Sequence, residues 1–297
     1  MFTTNDDLVI DCRNITHYYG NRLIFRDLSF QVEKGKILGL LGKNGTGKTT
    51  IINILNGFLR PTRGAAYVLG ENVNQMRPTT KGRIGLLLEQ HIQHPYMNVY
   101  QIERFYSKFY PNWNAQAYYN LISKLKITSR QPISTMSCGQ RSQVALGLIF
   151  AQDPELLILD DFSMGLDPGY RRLFIENLKE FVSDGTRTVF LTSHIIQDME
   201  MLIDDCIVFD YGRTILHKPT SEILDTFHRF KFKTQAKMVR STPKFLNPEH
   251  IGDHWEFYSF EDPAKISLII QDEYDATDIV VENLSLEDAF IGLTGKY

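Results

Sequence analysis

Residues Gly42 to Thr50 have the sequence GKNGTGKTT, and this stretch decides the fold. It matches the phosphate-loop pattern G-x-x-x-x-G-K-[ST]. The apolar run Ile37 to Leu41 before it predicts a buried strand, and the apolar residues after it recur at helical spacing. Those residues are Ile51, Ile52, Ile54 and Leu55. A strand, a glycine-rich loop and a helix in this order are the context that the motif requires, so we predict a site for nucleotide phosphates here and not a simple glycine-rich turn.

The residue types of the loop explain this chemistry. Glycines allow successive backbone N–H groups to converge on phosphate oxygens, and the helix that follows presents its positive end. Lys48 can reach the β- and γ-phosphates, and the Thr49 hydroxyl can bind Mg²⁺. The predicted contacts to the nucleotide are Gly42, Asn44, Gly45, Thr46, Gly47, Lys48, Thr49 and Thr50. The loop alone does not distinguish a transporter motor from a GTPase, a small kinase or a DNA-repair ATPase.

A second candidate element is LLILDD, Leu156 to Asp161, an apolar strand that ends in two acids. Open α/β sheets bind their ligands at the carboxyl ends of the strands. We expect Asp160 to hold Mg²⁺ through its water shell, and Asp161 to orient or deprotonate the attacking water. Acids in this position can also cap the next element, but the phosphate loop favours the functional interpretation.

Composition limits the class of protein. The 297 residues are 43% apolar and 23% charged, with a net charge of −3, as expected for one large or two modest folded domains. Such a balanced charge provides no strong field for nucleic acid or an anionic membrane. Cys12, Cys138 and Cys206 suit a reducing compartment, and the first residues do not resemble a secretory signal. Apolar runs are far shorter than the roughly 18 residues of a spanning helix, so a role at a membrane requires another chain.

The order of the patterns predicts the organisation of the chain. Strand patterns alternate with helical ones as far as about residue 220, which predicts a parallel sheet, and Asn98 to Ala151 is mainly helical. Beyond that point short strand patterns predict a small appended α/β module. Residues Arg229 to Lys244 include six basic side chains. They could touch lipid head groups or a partner, but we prefer a solvated strand edge.

Three further motifs follow the phosphate loop. They are MSCGQRSQ at Met136 to Gln143, DDFSMGLDP from Asp160, and TSH at Thr192 to His194. In this order and spacing they resemble the ATP-binding cassette of ABC proteins, from about residue 8 to 220. The resemblance implies a P-loop NTPase cassette, with a RecA-like α/β core and antiparallel β and α-helical subdomains. We therefore predict a cassette at residues 1–220, its helical subdomain at about 90–152, and an accessory module at 221–297.

The same resemblance assigns further site residues. Tyr19 matches the aromatic residue that stacks on adenine, although Tyr18 is adjacent. Glu89 falls where the family's glutamine loop meets Mg²⁺ and the membrane partner, with Gln90 next to it. His194 matches the catalytic switch histidine that contacts the γ-phosphate, and Asp167 matches the loop that links the two sites of a dimer.

The signature segment implies a second subunit. Ser137, Gly139 and Gln140 match the residues that, in the family, contact the γ-phosphate bound by the opposite subunit. The implied active unit is a head-to-tail dimer that encloses two ATP molecules, formed with a second copy or a paralogue.

This chain departs from the family pattern at three positions. Cys138 replaces the first signature glycine, Lys43 replaces a common proline, and Asp161 replaces the usual glutamate. Because aspartate is one methylene shorter, its carboxylate would lie about 1.5 Å farther from the water. We therefore expect slow but real ATP hydrolysis.

Shorter strings indicate the branch of the family. LLLEQ, FYPNWN at Phe109 to Asn114 and the C-terminal NLSLEDAFIGLTG look like cassettes of bacterial ABC-2-type exporters. Those are ATPases on the cytoplasmic face of the membrane, bound to separate permease subunits that export lipids, polysaccharides, drugs or amphipathic and antimicrobial peptides. The alternatives are a soluble ABC ATPase of DNA repair or translation and a small P-loop kinase. We expect no nucleic-acid partner. As a physical pattern, the last string predicts a helix capped by Ser285 with Leu286, Phe290 and Leu293 on one face.

Overall fold

The computed structural model describes residues 7–88, 94–125, 127–128 and 130–295. In this part of the chain the strands are β1 (Leu8–Tyr19), β2 (Arg22–Glu33), β3 (Ile37–Gly42), β4 (Arg63–Val68), β5 (Glu71–Asn72), β6 (Ile84–Leu87), β7 (Leu156–Leu159), β8 (Thr188–Thr192), β9 (Asp205–Asp210), β10 (Arg213–Pro219), β11 (His228–Lys233), β12 (Leu246–Ile251), β13 (His254–Ser259) and β14 (Thr277–Asn283). The α-helices are α1 (Lys48–Leu55), α2 (Pro78–Lys81), α3 (Val99–Tyr106), α4 (Ala115–Ile122), α5 (Cys138–Ala151), α6 (Pro168–Val182), α7 (Ile196–Glu200), α8 (Thr220–Thr226), α9 (Pro263–Tyr274) and α10 (Leu286–Thr294).

A six-stranded sheet with the order β10-β9-β3-β8-β7-β6 carries the phosphate loop. Strands β3, β8, β7 and β6 pair in parallel, which confirms the predicted parallel sheet. All four side chains of β7 are fully buried, as expected for a strand covered on both faces. Because parallel strands end at the same edge, the residues that follow β3, β7 and β8 lie close together.

A second sheet, of four strands in the order β2-β1-β4-β5, is antiparallel. Strands β1 and β2 form a long hairpin whose last pair is Tyr19 and Arg22. Gly20 makes this turn with a φ of 58°, in the left-handed region that glycine adopts without steric cost. The chain therefore turns directly after Tyr19, the residue that matches the adenine-stacking position of the family.

Helices α3, α4 and α5 share a separate apolar cluster that includes Ile102, Tyr118 and Leu148. Helices α3 and α5 each begin with a capping box, at Asn98 with Gln101 and at Ser137 with Gln140. Such caps satisfy backbone N–H groups that have no partner within the helix. The predicted helical character of this region is confirmed, while its limits at 90 and 152 stay predictions.

The C-terminal part forms a four-stranded antiparallel sheet with the order β12-β13-β11-β14. Helix α9 packs on it through Ile266 and Ile270, against Phe230 and Phe257. Ser285 caps α10 as predicted, because its hydroxyl accepts the backbone N–H of Asp288. The sequence patterns missed β12, in which polar residues and Pro248 interrupt the apolar alternation.

The preferred interpretation of the basic run as a strand edge is wrong. Its first residues belong to β11, which lies between β13 and β14. Arg229 and Lys231 form ion pairs with Glu282 at 2.6 and 2.8 Å, and Lys233 forms ion pairs with Asp253 and Asp278. Carboxylates of neighbouring strands and turns therefore balance these three cations.

Internal contacts divide the chain into two compact units, Met1–Ile203 with Phe209–Thr214, and Asp204–Val208 with Ile215–Tyr297. The predicted boundary at residue 220 stays a prediction. Among the residues that the structure describes, no helix combines the length and the apolar character needed to span a membrane.

Candidate functional site

The phosphate loop joins β3 to α1 in a conformation that requires glycine. Gly47, the N-cap of α1, has a φ of 108°, and a Cβ placed there would lie 2.6 Å from Cγ2 of Ile24. A Cβ on Gly42 would lie 2.7 Å from the carbonyl oxygen of Phe209. The loop can therefore approach its neighbours closely only because these positions carry no side chain.

Lys48 turns back over this loop. Its Nζ donates hydrogen bonds to the carbonyl oxygens of Gly42 at 2.6 Å and Lys43 at 3.0 Å. Burial lowers the pKa of Lys48, and Asp161 and Asp160 oppose that shift. These contacts hold the lysine at the mouth of the loop, next to two carboxylates.

Asp160 and Asp161 follow β7 and are linked to β8 by Thr192. The Thr192 hydroxyl donates to Oδ1 of Asp160 at 2.8 Å and accepts the backbone N–H of Asp161 at 3.0 Å. Asp160 is only 3% exposed, and burial raises its pKa against the hydrogen bonds from Thr192 and Thr49. Thr192 therefore fixes both acids at the end of the sheet, a role that the sequence analysis did not assign to it.

Asp161 pairs with His194, which follows β8. Its Oδ1 lies 2.6 Å from Nδ1 of His194 and accepts the backbone N–H of the same histidine at 3.3 Å. Asp161 has a φ of 44°, a left-handed conformation that aspartate tolerates better than most residues. The structure thus brings together two residues that are 33 positions apart.

A cavity of about 550 Å³ lies over these groups. It is lined by Tyr19, Arg22, Ile24, Asn44, Gly45, Gly47, Lys48, Thr49, Thr50, Asp160, Asp161, Met164, Thr192 and His194. Tyr19 lines it and Tyr18 does not, so the geometry favours Tyr19 of the two neighbouring tyrosines.

Two predicted loop residues lie beside the cavity without lining it. Gly42 contributes the carbonyl oxygen that Lys48 contacts. The Thr46 hydroxyl donates to the carbonyl oxygen of Lys43 at 2.8 Å and stabilises the turn of the loop.

The signature residues do not line this cavity either. Ser137 and Gln140 form the capping box of α5, and a Cβ on Gly139 would lie 2.3 Å from the ring of Tyr170. The Cys138 Sγ lies against Gly165, 3.4 Å from the position of a Cβ there. Asp167 caps α6 by accepting the backbone N–H of Tyr170. Glu89 and Gln90 lie outside the described residues.

Arg22, Ile24, Met164 and Thr192 line the cavity but were not predicted. Thr192 was visible as the first residue of the TSH motif, and alternation along β2 places Arg22 and Ile24 on one face. No sequence signal indicates Met164, which follows the buried Ser163 in the segment after Asp161.

The residues of the cavity fit a magnesium nucleotide. Mg²⁺ is commonly held by one or two protein oxygens, with the remaining ligands from phosphates and water. Thr49 and Asp160 are within hydrogen-bonding distance of each other and both line the cavity. The described residues contain no group of three or more histidine, cysteine or acidic side chains suited to a metal.

Comparisons with known proteins identify the family that the chain resembles in sequence and in fold. A family model described as ABC transporter matches residues 25–163. Nod factor export ATP-binding protein I of Burkholderia lata is 31% identical over 298 residues, covering 97% of this chain and 97% of the relative. The protein of that name from Cupriavidus metallidurans is 27% identical over 299 residues, covering 97% of this chain and 98% of the relative.

A similar solved structure is the dimeric ATP-binding cassette MJ0796 in a post-hydrolysis state with ADP and Pi. It has a TM-score of 0.62 and 18% identity, covering 71% of this chain and 98% of that one. At this identity the likeness concerns the fold.

Proposed function

This chain belongs to the ABC transporter ATP-binding proteins, and from that premise we propose that it is the motor subunit of an exporter with separate transmembrane subunits. As a member of the family it binds ATP and is an ATPase. The predicted family and fold class are confirmed. The observation that carries the proposal is the cavity in which Lys48, Asp160 and His194 converge.

The proposed roles follow from the positions of the side chains. Lys48 binds the β- and γ-phosphates, and Thr49 and Asp160 hold Mg²⁺, which neutralises phosphate charge when it is bound. Asp161 orients the attacking water and receives its proton, while His194 contacts the γ-phosphate. Tyr19, which is 50% exposed, stacks on adenine. Glu89 keeps its predicted role near Mg²⁺ and the membrane partner.

We further propose that the active unit is a head-to-tail dimer. The support is that Ser137 and Gln140 are exposed and partly exposed at the start of α5, where Gly139 is buried, and that none of the three lines the cavity of its own chain. A helix N-terminus attracts an anion, and the nearest suitable anion is then an ATP bound by another subunit. The similar structure MJ0796 is described as dimeric.

The proposed partner and cargo rest on relatives. Two relatives that match nearly the whole chain are named for Nod factor export. We propose export of an amphipathic substrate such as a lipid, drug or peptide, with this chain on the cytoplasmic face of the membrane through its permease. Purification of the tagged chain from membranes should recover a multi-spanning subunit. Recovery only as a membrane-free complex with nucleic acid would contradict the transporter function and support the alternative of DNA repair or translation.

Cys138 offers a test of the dimer in that complex. Cys12 and Cys206 are buried, and burial raises the pKa of both thiols, that of Cys206 to about 12, so alkylation at neutral pH should occur at Cys138. ATP with Mg²⁺ should slow this labelling in an Asp161→Asn complex, because the opposite subunit covers Cys138. Lys48→Ala, which should not retain ATP, is the control. Unchanged labelling of Cys138 with ATP bound would contradict the head-to-tail dimer.

A further inference from the structure

The hairpin of β1 and β2 places the buried ring of His17 directly against the ring of Tyr19, which lines the cavity. We infer that His17 is a positioning residue, which holds the Tyr19 ring in the orientation that stacks on the base of the nucleotide. This inference rests on the proposed role of Tyr19 and adds a residue to which the sequence analysis gave no function.

The contact follows from strand geometry. His17 and Tyr19 are two positions apart on β1, and alternate residues of a strand share a face. Their ring centroids lie 4.9 Å apart with the planes at 83°, the edge-to-face arrangement that aromatic pairs favour. His17 is 5% exposed, whereas Tyr19 is 50% exposed. One ring is therefore fixed by packing and the other remains accessible to a ligand.

Phe25 anchors the histidine from the opposite strand. Phe25 is the cross-strand neighbour of His17, with ring centroids 6.2 Å apart, and it is fully buried. A ring atom of Phe25 also lies 3.3 Å from the position of a Cβ on Gly47. Contacts thus run from Tyr19 through His17 and Phe25 to the phosphate loop. This packing sets the position of the Tyr19 ring relative to the phosphate loop.

The support is aromatic packing and not charge. Burial lowers the pKa of His17 against a backbone hydrogen bond at Arg60, and a lowered pKa favours the neutral ring. A phenylalanine could present a similar edge to Tyr19, whereas alanine would leave a gap and leucine would fill the space without an aromatic ring. These three substitutions separate ring support from simple filling of the core.

The test compares a ligand that has a base with one that lacks it. Calorimetry on the full chain with Mg²⁺ measures the affinities for ATP and for inorganic tripolyphosphate. His17→Ala and His17→Leu should weaken ATP binding roughly 2- to 10-fold and leave tripolyphosphate binding unchanged, because an aromatic pair contributes on that order. His17→Phe should restore the affinity for ATP. Leucine keeps the test valid if the alanine variant folds poorly, which melting curves will reveal.

A double-mutant cycle with Tyr19→Ala completes the experiment. If His17 acts through Tyr19, His17→Leu should have no further effect on ATP affinity in the Tyr19→Ala background. Additive losses, equal losses for ATP and tripolyphosphate, or unchanged ATP affinity in His17→Leu would each overturn the inference. If Tyr19→Ala itself leaves ATP affinity unchanged, the proposed stacking role of Tyr19 fails as well, so the two failures are distinguishable.

Discussion

Oδ1 of Asp161 contacts His194 twice, through the imidazole Nδ1 at 2.6 Å and through the backbone N–H at 3.3 Å. These contacts join the ends of β7 and β8 above the phosphate loop. Because both use the same oxygen, we expect Oδ2 of Asp161 to hold the attacking water. The short aspartate side chain is thus fixed at the end of the sheet, and its reach toward the γ-phosphate should limit the rate.

Replacement of Asp161 by asparagine should nearly abolish turnover. The amide keeps the size of the carboxylate but cannot accept a proton from the water, and a general base typically contributes about 10²- to 10⁴-fold. Phosphate release should fall by at least about 100-fold, while ATP binding measured by calorimetry persists. An unaltered rate of phosphate release would remove Asp161 from the mechanism.

Asp161→Glu, in contrast, should raise turnover or leave it unchanged. The added methylene moves the carboxylate toward the water, and a misplacement of about 1 Å can cost up to about 100-fold in rate. Asp205→Glu makes the same chemical change at the start of β9 and is the matched control. A large loss of turnover in Asp161→Glu alone would show that the pairing with His194 requires the shorter side chain.

Thr192→Val should lower the rate of ATP turnover more than it lowers the affinity for ATP. Valine preserves the shape of Thr192 but removes the hydroxyl that serves Asp160 and the backbone of Asp161. Buried polar groups without partners cost about 1 to 3 kcal/mol, so the free energy of unfolding should fall by that amount in urea. Turnover should fall more than ATP affinity does, because the acids and not the phosphate loop lose support.

Thr192→Ser is the control for this prediction. Serine keeps the hydroxyl and should retain most of the turnover and stability. Equal turnover in the valine and serine variants would contradict a role for the hydroxyl in positioning the two acids.

Sequence patterns predicted the sheet and the phosphate loop because both depend on local chemistry. Strand β3 is a continuous apolar run, helix α1 has apolar residues at helical spacing, and glycines fix the loop between them. Thr192 escaped prediction because its hydrogen bonds reach residues more than 30 positions away. The place of β11 inside its sheet was missed for a similar reason, since the acids that neutralise its cations are distant in sequence.

Gly47→Ala should impair ATP binding through backbone geometry. Alanine would have to adopt a φ of 108° and place its Cβ 2.6 Å from Ile24. A left-handed conformation alone costs roughly 1–2 kcal/mol, and the contact with Ile24 adds to it, so ATP affinity should fall at least about 10-fold. Gly252→Ala is the matched control, because Gly252 also has a positive φ but no atom near its Cβ position. That variant should lose stability without loss of ATP affinity, and equal affinities in the two variants would contradict the argument.

Glu282→Gln should destabilise the C-terminal sheet in a pH-dependent manner. Hydrogen bonds from Lys231 and Arg229 lower the pKa of Glu282 in the folded chain below its ordinary value of 4.5. Because this pKa is lowered, ionised Glu282 stabilises the fold fully at pH values above the pKa that Glu282 has in the unfolded chain. The contribution disappears as the pH falls through the pKa of Glu282 in the folded chain. The variant loses this contribution and leaves two cations without their shared partner.

At pH 7 the loss should be about 1 kcal/mol, since the ion pairs are partly exposed, and the melting temperature should fall by roughly 2 to 4 °C. At pH 3 the difference between the variant and the wild type should shrink. Glu273→Gln, at an exposed position of α9, should change the melting temperature little at either pH. A difference in melting temperature that is equal at pH 7 and pH 3 would show that the carboxylate charge of Glu282 does not stabilise β11 between its neighbours.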